Sequence, residues 1–137
     1  AKAKNVGIIA RVPLASGLLT GKFNKTSTFS NDDHRNFNRE GAIFDKGETF
    51  SGIDFDLGLK AVEELKEIFK NQNLVHKALQ WILAFDEVSC IIPGASGVSQ
   101  LLSNLGTFSA TPLLASDVEK VNAIYKEYMK DQVHHLW

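Results

Sequence analysis

The chain has 137 residues, 44% of them hydrophobic and 23% charged, with a formal net charge of −1, which is the composition of a single soluble domain. Acidic and basic residues are interleaved without a basic run, which excludes a nucleic-acid footprint, and no apolar run reaches membrane-span length or forms a signal peptide. One cysteine, Cys90, excludes an internal disulfide framework and fits a reducing, cytoplasmic compartment.

Ala1-Lys2-Ala3-Lys4-Asn5 reads as the last turn of a preceding helix, and the expectation is a piece of a longer protein. Val6 to Val12 is nearly continuous in apolar residues, as in a strand buried on both faces. Arg11 is its one charge. Pro13 to Lys22 follows as a loop of small residues with two glycines. In α/β proteins ligands sit beyond the C-terminal ends of the strands, so Arg11 to Lys22 lies where a site belongs. The plain alternatives are a rim salt bridge for Arg11 and a solvated cation for Lys22.

Residues 22–55 form a long loop rich in Asn, Asp, Gly, Ser and Thr. Its recurring phenylalanines (Phe23, Phe29, Phe37, Phe44, Phe50, Phe55) imply that it packs onto something. Asp32-Asp33-His34-Arg35 lacks the converging ligands of a metal site and reads as a turn or helix start with ion pairing. Asp56 to Phe69 is an amphipathic helix with its stripe at Gly58, Ala61, Val62, Leu65, Ile68 and Phe69. Leu74 to Phe85 is a second helix, apolar around most of its circumference and expected to be largely buried; His76 within it reads as a surface or satisfied histidine.

Val88 to Ile92 is a second short strand, with Cys90 expected as a small buried hydrophobe. Pro93 ends the ladder, Gly94 and Gly97 allow close backbone approach, and Ser96 is the expected N-cap of the next helix. Such a helix start suits a phosphate. Val98, Leu101, Leu102 and Leu105 should face a core, with Gln100 and Asn104 sharing the other face. Alone, this strand–loop–helix reads equally well as an ordinary βα turn. Ser109 to Leu114 is a linker, and Ser116 to Glu119 reads as a capping box for a last helix through Val118, Val121, Ile124, Tyr125 and Tyr128. Both tyrosines are at packing spacing. His134, His135 and Trp137 form a loose tail.

The order β, loop, α, α, β, α, α makes a right-handed parallel βαβ unit. Two strands leave open hydrophobic edges, so a chain that folds alone should associate with another copy of itself.

Taken together, the two strand-end segments resemble one family. Val6 to Lys22 resembles the seventh strand and following loop of the aldo-keto reductases. Ile91 to Ser96, with Gln100 and Asn104, resembles their eighth strand and cofactor loop. Leu79 to Leu83 and the closing helix match as well, so the resemblance covers essentially the whole chain. It implies an α/β fold: the C-terminal part of a (β/α)8 TIM barrel, with two parallel strands and about four helices. The barrel is incomplete, and residues 1–137 are one partial domain.

It further implies a nicotinamide cofactor, NADP (NADPH) with NAD as the alternative, and a small carbonyl substrate in the parent protein. By resemblance, Gly94, Ala95, Ser96 and Gly97 carry the phosphate loop of the adenosine half. Gln100 lies near the adenosine phosphate and ring, and Asn104 hydrogen-bonds the adenine. Pro13, Leu14, Ser16 and Gly17 run along the nicotinamide ribose and pyrophosphate, and Lys22 sits where the loop closes. Many members stack an aromatic on the nicotinamide where this chain has Arg11, so the guanidinium must do this or contact substrate. Others carry Lys or Arg for the 2′-phosphate at Gly94 or Gln100; this chain has neither, which leaves Ser96 and the helix N-terminus.

The family's catalytic Asp, Tyr, Lys and His lie on the first part of the barrel and match nothing here. The expectation is an oxidoreductase parent and a segment that is inactive alone. Two other readings are a non-catalytic binding protein of the same fold, such as a channel β-subunit-like protein, and a naturally short nucleotide-binding module. The open sheet and the start at Ala1 weigh against the last.

Overall fold

The computed structural model describes residues 1–136. Two strands, β1 (Ile8–Arg11) and β2 (Val88–Ile92), pair in parallel. Ile8 lies opposite Val88 and Arg11 opposite Ile92, with one irregularity between Ile8 and Ile9. Between them run a one-turn helix α1 (His34–Phe37) and two longer helices, α2 (Phe55–Ile68) and α3 (Leu74–Leu83). After β2 come α4 (Val98–Leu105), α5 (Ala115–Ile124), a π-helical turn over Tyr125–Met129, and the one-turn α6 (Lys130–Val133).

Helix starts follow local chemistry. Asp54 caps α2 by accepting from the Leu57 N–H at 2.9 Å, and Asn73 caps α3 by accepting from the Val75 N–H at 3.0 Å. The stripe read from the sequence largely holds in α2: Gly58, Ala61, Val62 and Leu65 are buried, as is Phe69 just beyond, while Ile68 is half-buried and Leu59, outside the stripe, is buried as well. They pack with Leu18 and Phe50 from the long connection and with Ile124 of α5. Phe23, Phe29, Phe50 and Phe55 close one end as an aromatic cluster, Phe50 and Phe55 being 4.9 Å apart between centroids. The 22–55 segment therefore does pack, as its phenylalanines imply. It carries α1 and two short 3₁₀ turns, Lys46–Glu48 and Phe50–Gly52.

The core lies among α2, α5 and the turn over Ala15–Thr20, and the sheet is left outside it. Several expectations are corrected here. The strands are not buried on both faces: Ile9 is 65% and Ile92 57% exposed. Cys90 is exposed as well. The α4 stripe does not meet a core: Val98 is 72% and Leu102 61% exposed, with Leu101 and Leu105 also exposed. The physical reason is common to all three. These patterns specify burial under neighbouring strands and helices, and the described residues supply none to cover them.

Helix α3 is only partly buried, at Leu74, Lys77 and Leu79, and Phe85 beyond it is exposed. Two caps differ from the sequence reading. Gly97, not Ser96, is the N-cap of α4, and no side chain bonds its first turn. Helix α5 starts at Ala115 with the extended Leu114 as N-cap, so Ser116 lies inside the helix and forms no capping box. The tail is a 3₁₀ turn over His134–Leu136, in which His134 Nδ1 meets the Tyr125 hydroxyl at 2.8 Å. Trp137 lies outside the described residues.

Candidate functional site

A cleft of about 490 Å³ opens at the C-terminal ends of the two strands. Its walls join the two segments singled out from the sequence. Pro13, Leu14, Ser16, Gly17 and Lys22 come from the loop after β1; Gly94, Gln100 and Asn104 come from the loop after β2 and from α4. Arg11, Ala95, Ser96 and Gly97 lie outside the lining. Val12 and Thr20, within the Arg11–Lys22 segment, line it too, and sequence reasoning missed Phe23, His34, Arg35, Val75 and Ser103. For His34 and Arg35 the signal was present as a charge cluster, but nothing local places that cluster beside β1.

Backbone geometry shapes the first wall. Val12, Ala15 and Ser16 adopt φ of 50°, 48° and 54°, a left-handed conformation uncommon for non-glycine residues and strained for β-branched Val12. Gly17, at φ 92°, also needs its missing side chain: a Cβ there would stand 3.2 Å from the Phe23 ring. Thr20 locks the turn by donating to the Gly17 carbonyl at 2.7 Å.

The Ser16 hydroxyl donates to the Glu48 carbonyl at 3.3 Å, accepts from the Phe50 N–H at 3.2 Å, and lies 3.4 Å from His34 Nε2. Arg11 forms a bidentate ion pair with Glu48, at 2.8 and 3.1 Å. The rim salt bridge that the sequence offers as the plain reading of Arg11 is therefore present.

Two cations stand in the cleft. Lys22 is exposed and forms no ion pair among the described residues. Arg35 donates to Asp33 at 2.6 Å, and its guanidinium lies 4.6 Å from the Phe29 ring centroid. That hydrogen bond, from the Arg35 side chain, holds the Asp33 carboxyl down at about 2. Asp33 also caps α1 by accepting from the Arg35 N–H, so the ion-paired helix start expected from the sequence is present.

On the opposite wall, Gln100 and Asn104 do share one face of α4 and both turn back to the preceding loop. Gln100 Oε1 accepts from the Ser96 N–H at 2.6 Å and from its hydroxyl at 2.8 Å. Asn104 Nδ2 reaches the Gly94 carbonyl at 3.5 Å. Open space surrounds Gly94 and Gly97: a Cβ added at either meets nothing within 4 Å. With no side-chain cap at the helix start, this wall suits an anionic group. Among the described residues no tyrosine and no carboxylate lines the cleft, and no group of His, Cys, Asp or Glu could hold a metal ion.

His76 on α3 meets the Ser103 carbonyl at 2.8 Å, a satisfied surface histidine that ties α4 down. Lys77 is buried and donates to the Thr111 and Pro112 carbonyls at 2.5 and 3.3 Å, pinning the linker after α4. No helix is long and apolar enough to cross a membrane among the described residues.

Comparison with known proteins places this architecture. The model of the Aldo/keto reductase family matches residues 1–126. The L-glyceraldehyde 3-phosphate reductase of Escherichia coli K12 is 27% identical over 132 residues, covering 96% of this chain and 36% of that protein. A probable voltage-gated potassium channel subunit beta from Oryza sativa subsp. japonica is 28% identical over 133 residues, covering 91% and 37%. Among solved structures, a glycerol dehydrogenase from Gluconobacter oxydans superposes with a TM-score of 0.72 at 25% identity, over 94% of this chain and 37% of that one. The chain thus spans little more than a third of the length of the relatives it matches. Its two strands and their helices are a sector of a (β/α)8 barrel, which accounts for the bare sheet and the bare face of α4.

Proposed function

The chain belongs to the aldo/keto reductase family, and on that premise we propose that it is the C-terminal, cofactor-binding sector of an NAD(P)H-dependent carbonyl reductase. The observation that carries the reading is the cleft that joins the loop after β1 to Gln100 and Asn104 of α4. The residues present fit such a cofactor: the open backbone at Gly94 and Gly97, the uncapped start of α4, and two cations across the cleft can hold a dinucleotide phosphate. When bound, the cofactor supplies the hydride.

The protein's part is binding and orientation. Gly94 to Gly97, Gln100 and Asn104 hold the adenosine half. Pro13, Leu14, Gly17 and Lys22 line the path of the other half. Ser16 shapes that path through its bonds to Glu48 and Phe50. The family resemblance makes NADPH the first candidate and NADH the alternative; the absence of Lys or Arg at Gly94 and Gln100 leaves a 2′-phosphate only Ser96 and the helix start, which weakens the preference for NADPH.

Among the described residues no tyrosine or carboxyl lines the cleft, and the family's catalytic Asp, Tyr, Lys and His match nothing in this sequence; on our reading residues 1–137 are one partial, cytoplasmic domain that binds without turning over. The substrate is a small aldehyde or ketone of the parent protein. The similarity to a potassium channel subunit favours a second reading, a non-catalytic member that senses the same cofactor. It is distinguished by whether a complete barrel carrying this sector reduces carbonyls.

The test is a fluorescence titration of the chain with NADPH and with NADH. Saturable binding that is lost in Gln100→Ala and Asn104→Ala is expected. A chain folded by circular dichroism that binds neither nucleotide overturns the reading.

A further inference from the structure

We propose that copies of this chain join head to tail: the free edge of β2 and the bare face of α4 on one copy receive the free edge of β1 on the next, and the contact repeats until four copies close a ring. The proposal goes beyond the cofactor reading and does not depend on it. Three observations carry it.

The first is area. The chain exposes 8901 Å² to solvent, whereas a compact monomer of its mass, 15.1 kDa, exposes about 7,100 Å². The excess is about 1,800 Å², and each partner gives about 800 Å² to a standard protein–protein interface. One copy therefore carries enough surplus surface for two such contacts. A two-fold dimer, built on one self-complementary patch, uses only one of them.

The second is where that surface lies. Among the described residues the sheet has two strands, so β1 and β2 each keep one unpaired edge. Edge strands are ordinarily blunted by lysine or proline, and neither Ile8–Arg11 nor Val88–Ile92 contains either residue. The apolar stripe of α4 stands open beside them. His76 of α3 holds that helix by the Ser103 carbonyl, so the stripe is presented in a fixed position.

The third is the hand of the connection. β1 and β2 are parallel and α3 packs on β2. Such crossovers are right-handed, which keeps successive helices on one side of the sheet. Leaving β2 by the same hand, α4 lies over the place of a strand added at the free edge of β2. That strand has to be parallel to β2 and apolar, and β1 of a second copy is both. The two surfaces differ, so the contact leaves the second copy's β2 edge and α4 free to repeat it. Each copy then makes two contacts, in agreement with the area. A parallel sheet of this kind closes with a filled interior at eight strands, which four copies supply.

Sedimentation equilibrium of the full chain over a range of micromolar concentrations tests this. The wild-type mass should rise with concentration towards about four times that of the monomer. Two variants each spoil one half of the contact: Val98→Glu with Leu102→Glu on α4, and Val6→Lys with Ile9→Lys at β1. All four positions are exposed, so both variants should keep the wild-type circular dichroism spectrum. Each alone should associate more weakly by about 100-fold or more, because a charge is left unpaired in the contact. Mixed in equal amounts they should form pairs and stop at two copies, since each supplies the half that the other lacks. A wild-type chain that sediments as a monomer throughout overturns the proposal and leaves these surfaces to a partner of different sequence. A variant that still self-associates, or a mixture that stays monomeric, overturns the head-to-tail contact. A wild-type chain that stops at two copies or grows past four overturns the ring, and this mass decides the matter should a variant fail to fold.

Discussion

Gly58 is the position where the packing of α2 against the cleft loop can be tested most sharply. It is buried on α2, and a Cβ there would stand 2.7 Å from Leu18 Cδ2, well inside contact distance. Leu18 is 1% exposed, so it has no solvent to swing into. For Gly58→Ala two terms oppose each other. Alanine gains about 1 kcal/mol of helix propensity over glycine, and overpacking a filled core costs about 1–3 kcal/mol. The net expectation is destabilisation of about 1 kcal/mol.

Leu18→Ala alone should cost about 2–5 kcal/mol. It also removes the atoms that the new Cβ meets. In that background Gly58→Ala should stabilise, by about 1 kcal/mol, because only the propensity term remains. The predicted signature is a change of sign, with a coupling energy of about 2 kcal/mol between the two sites. Urea unfolding of the four proteins, followed by circular dichroism, measures it. Equal effects of Gly58→Ala in both backgrounds would refute the claimed contact.

Asp33→Asn tests the charge of Asp33 while keeping an oxygen to cap α1. Because the folded carboxyl is held down at about 2 by Arg35, its contribution is complete above the unfolded value near 4 and is lost as pH falls through 2. The gap in urea midpoint between wild type and variant should therefore be full at pH 6 and closed near pH 2; a gap independent of pH would contradict this. Asp54→Ala removes the cap on Leu57 and should cost about 1 kcal/mol in the same assay. Lys77→Met keeps the buried stem but frees the Thr111 and Pro112 carbonyls; limited proteolysis should then cut within residues 109–114 faster than in wild type. Leu101→Lys with Leu105→Lys, on the bare face of α4, should shift sedimentation towards monomer if copies cover one another there, and an unchanged profile would remove that expectation.

The elements whose partners are local were legible in the sequence. The α2 stripe, the ion-paired start of α1 and the shared face of Gln100 and Asn104 depend on residues two to four apart, and all are present. Burial of β1, β2, Cys90 and the α4 stripe was misread because the pattern encodes packing against strands and helices that lie outside this chain. Ser96 and Ser116 have the right chemistry for caps, but Gly97 and Leu114 adopt the extended backbone of an N-cap instead. Lys77 was invisible: a lysine in a helix reads as solvated until the linker carbonyls are folded over it. Glu48 was invisible for another reason. It lies 37 residues from Arg11 in a stretch without periodicity, and only the folded long loop brings it to the strand end.

The parallel pairing of Ile8 with Val88 also sets an order of events in folding. Closing that pair requires the whole intervening chain to be looped back, and such distant contacts form slowly. The aromatic cluster and the α2 contacts involve a shorter stretch of chain and can collapse first. The strand ends, and the cleft between them, are then completed late. A ligand that bridges the two strand-end loops would act on the slowest step as well as on the finished structure, hastening registration of β1 on β2 during refolding.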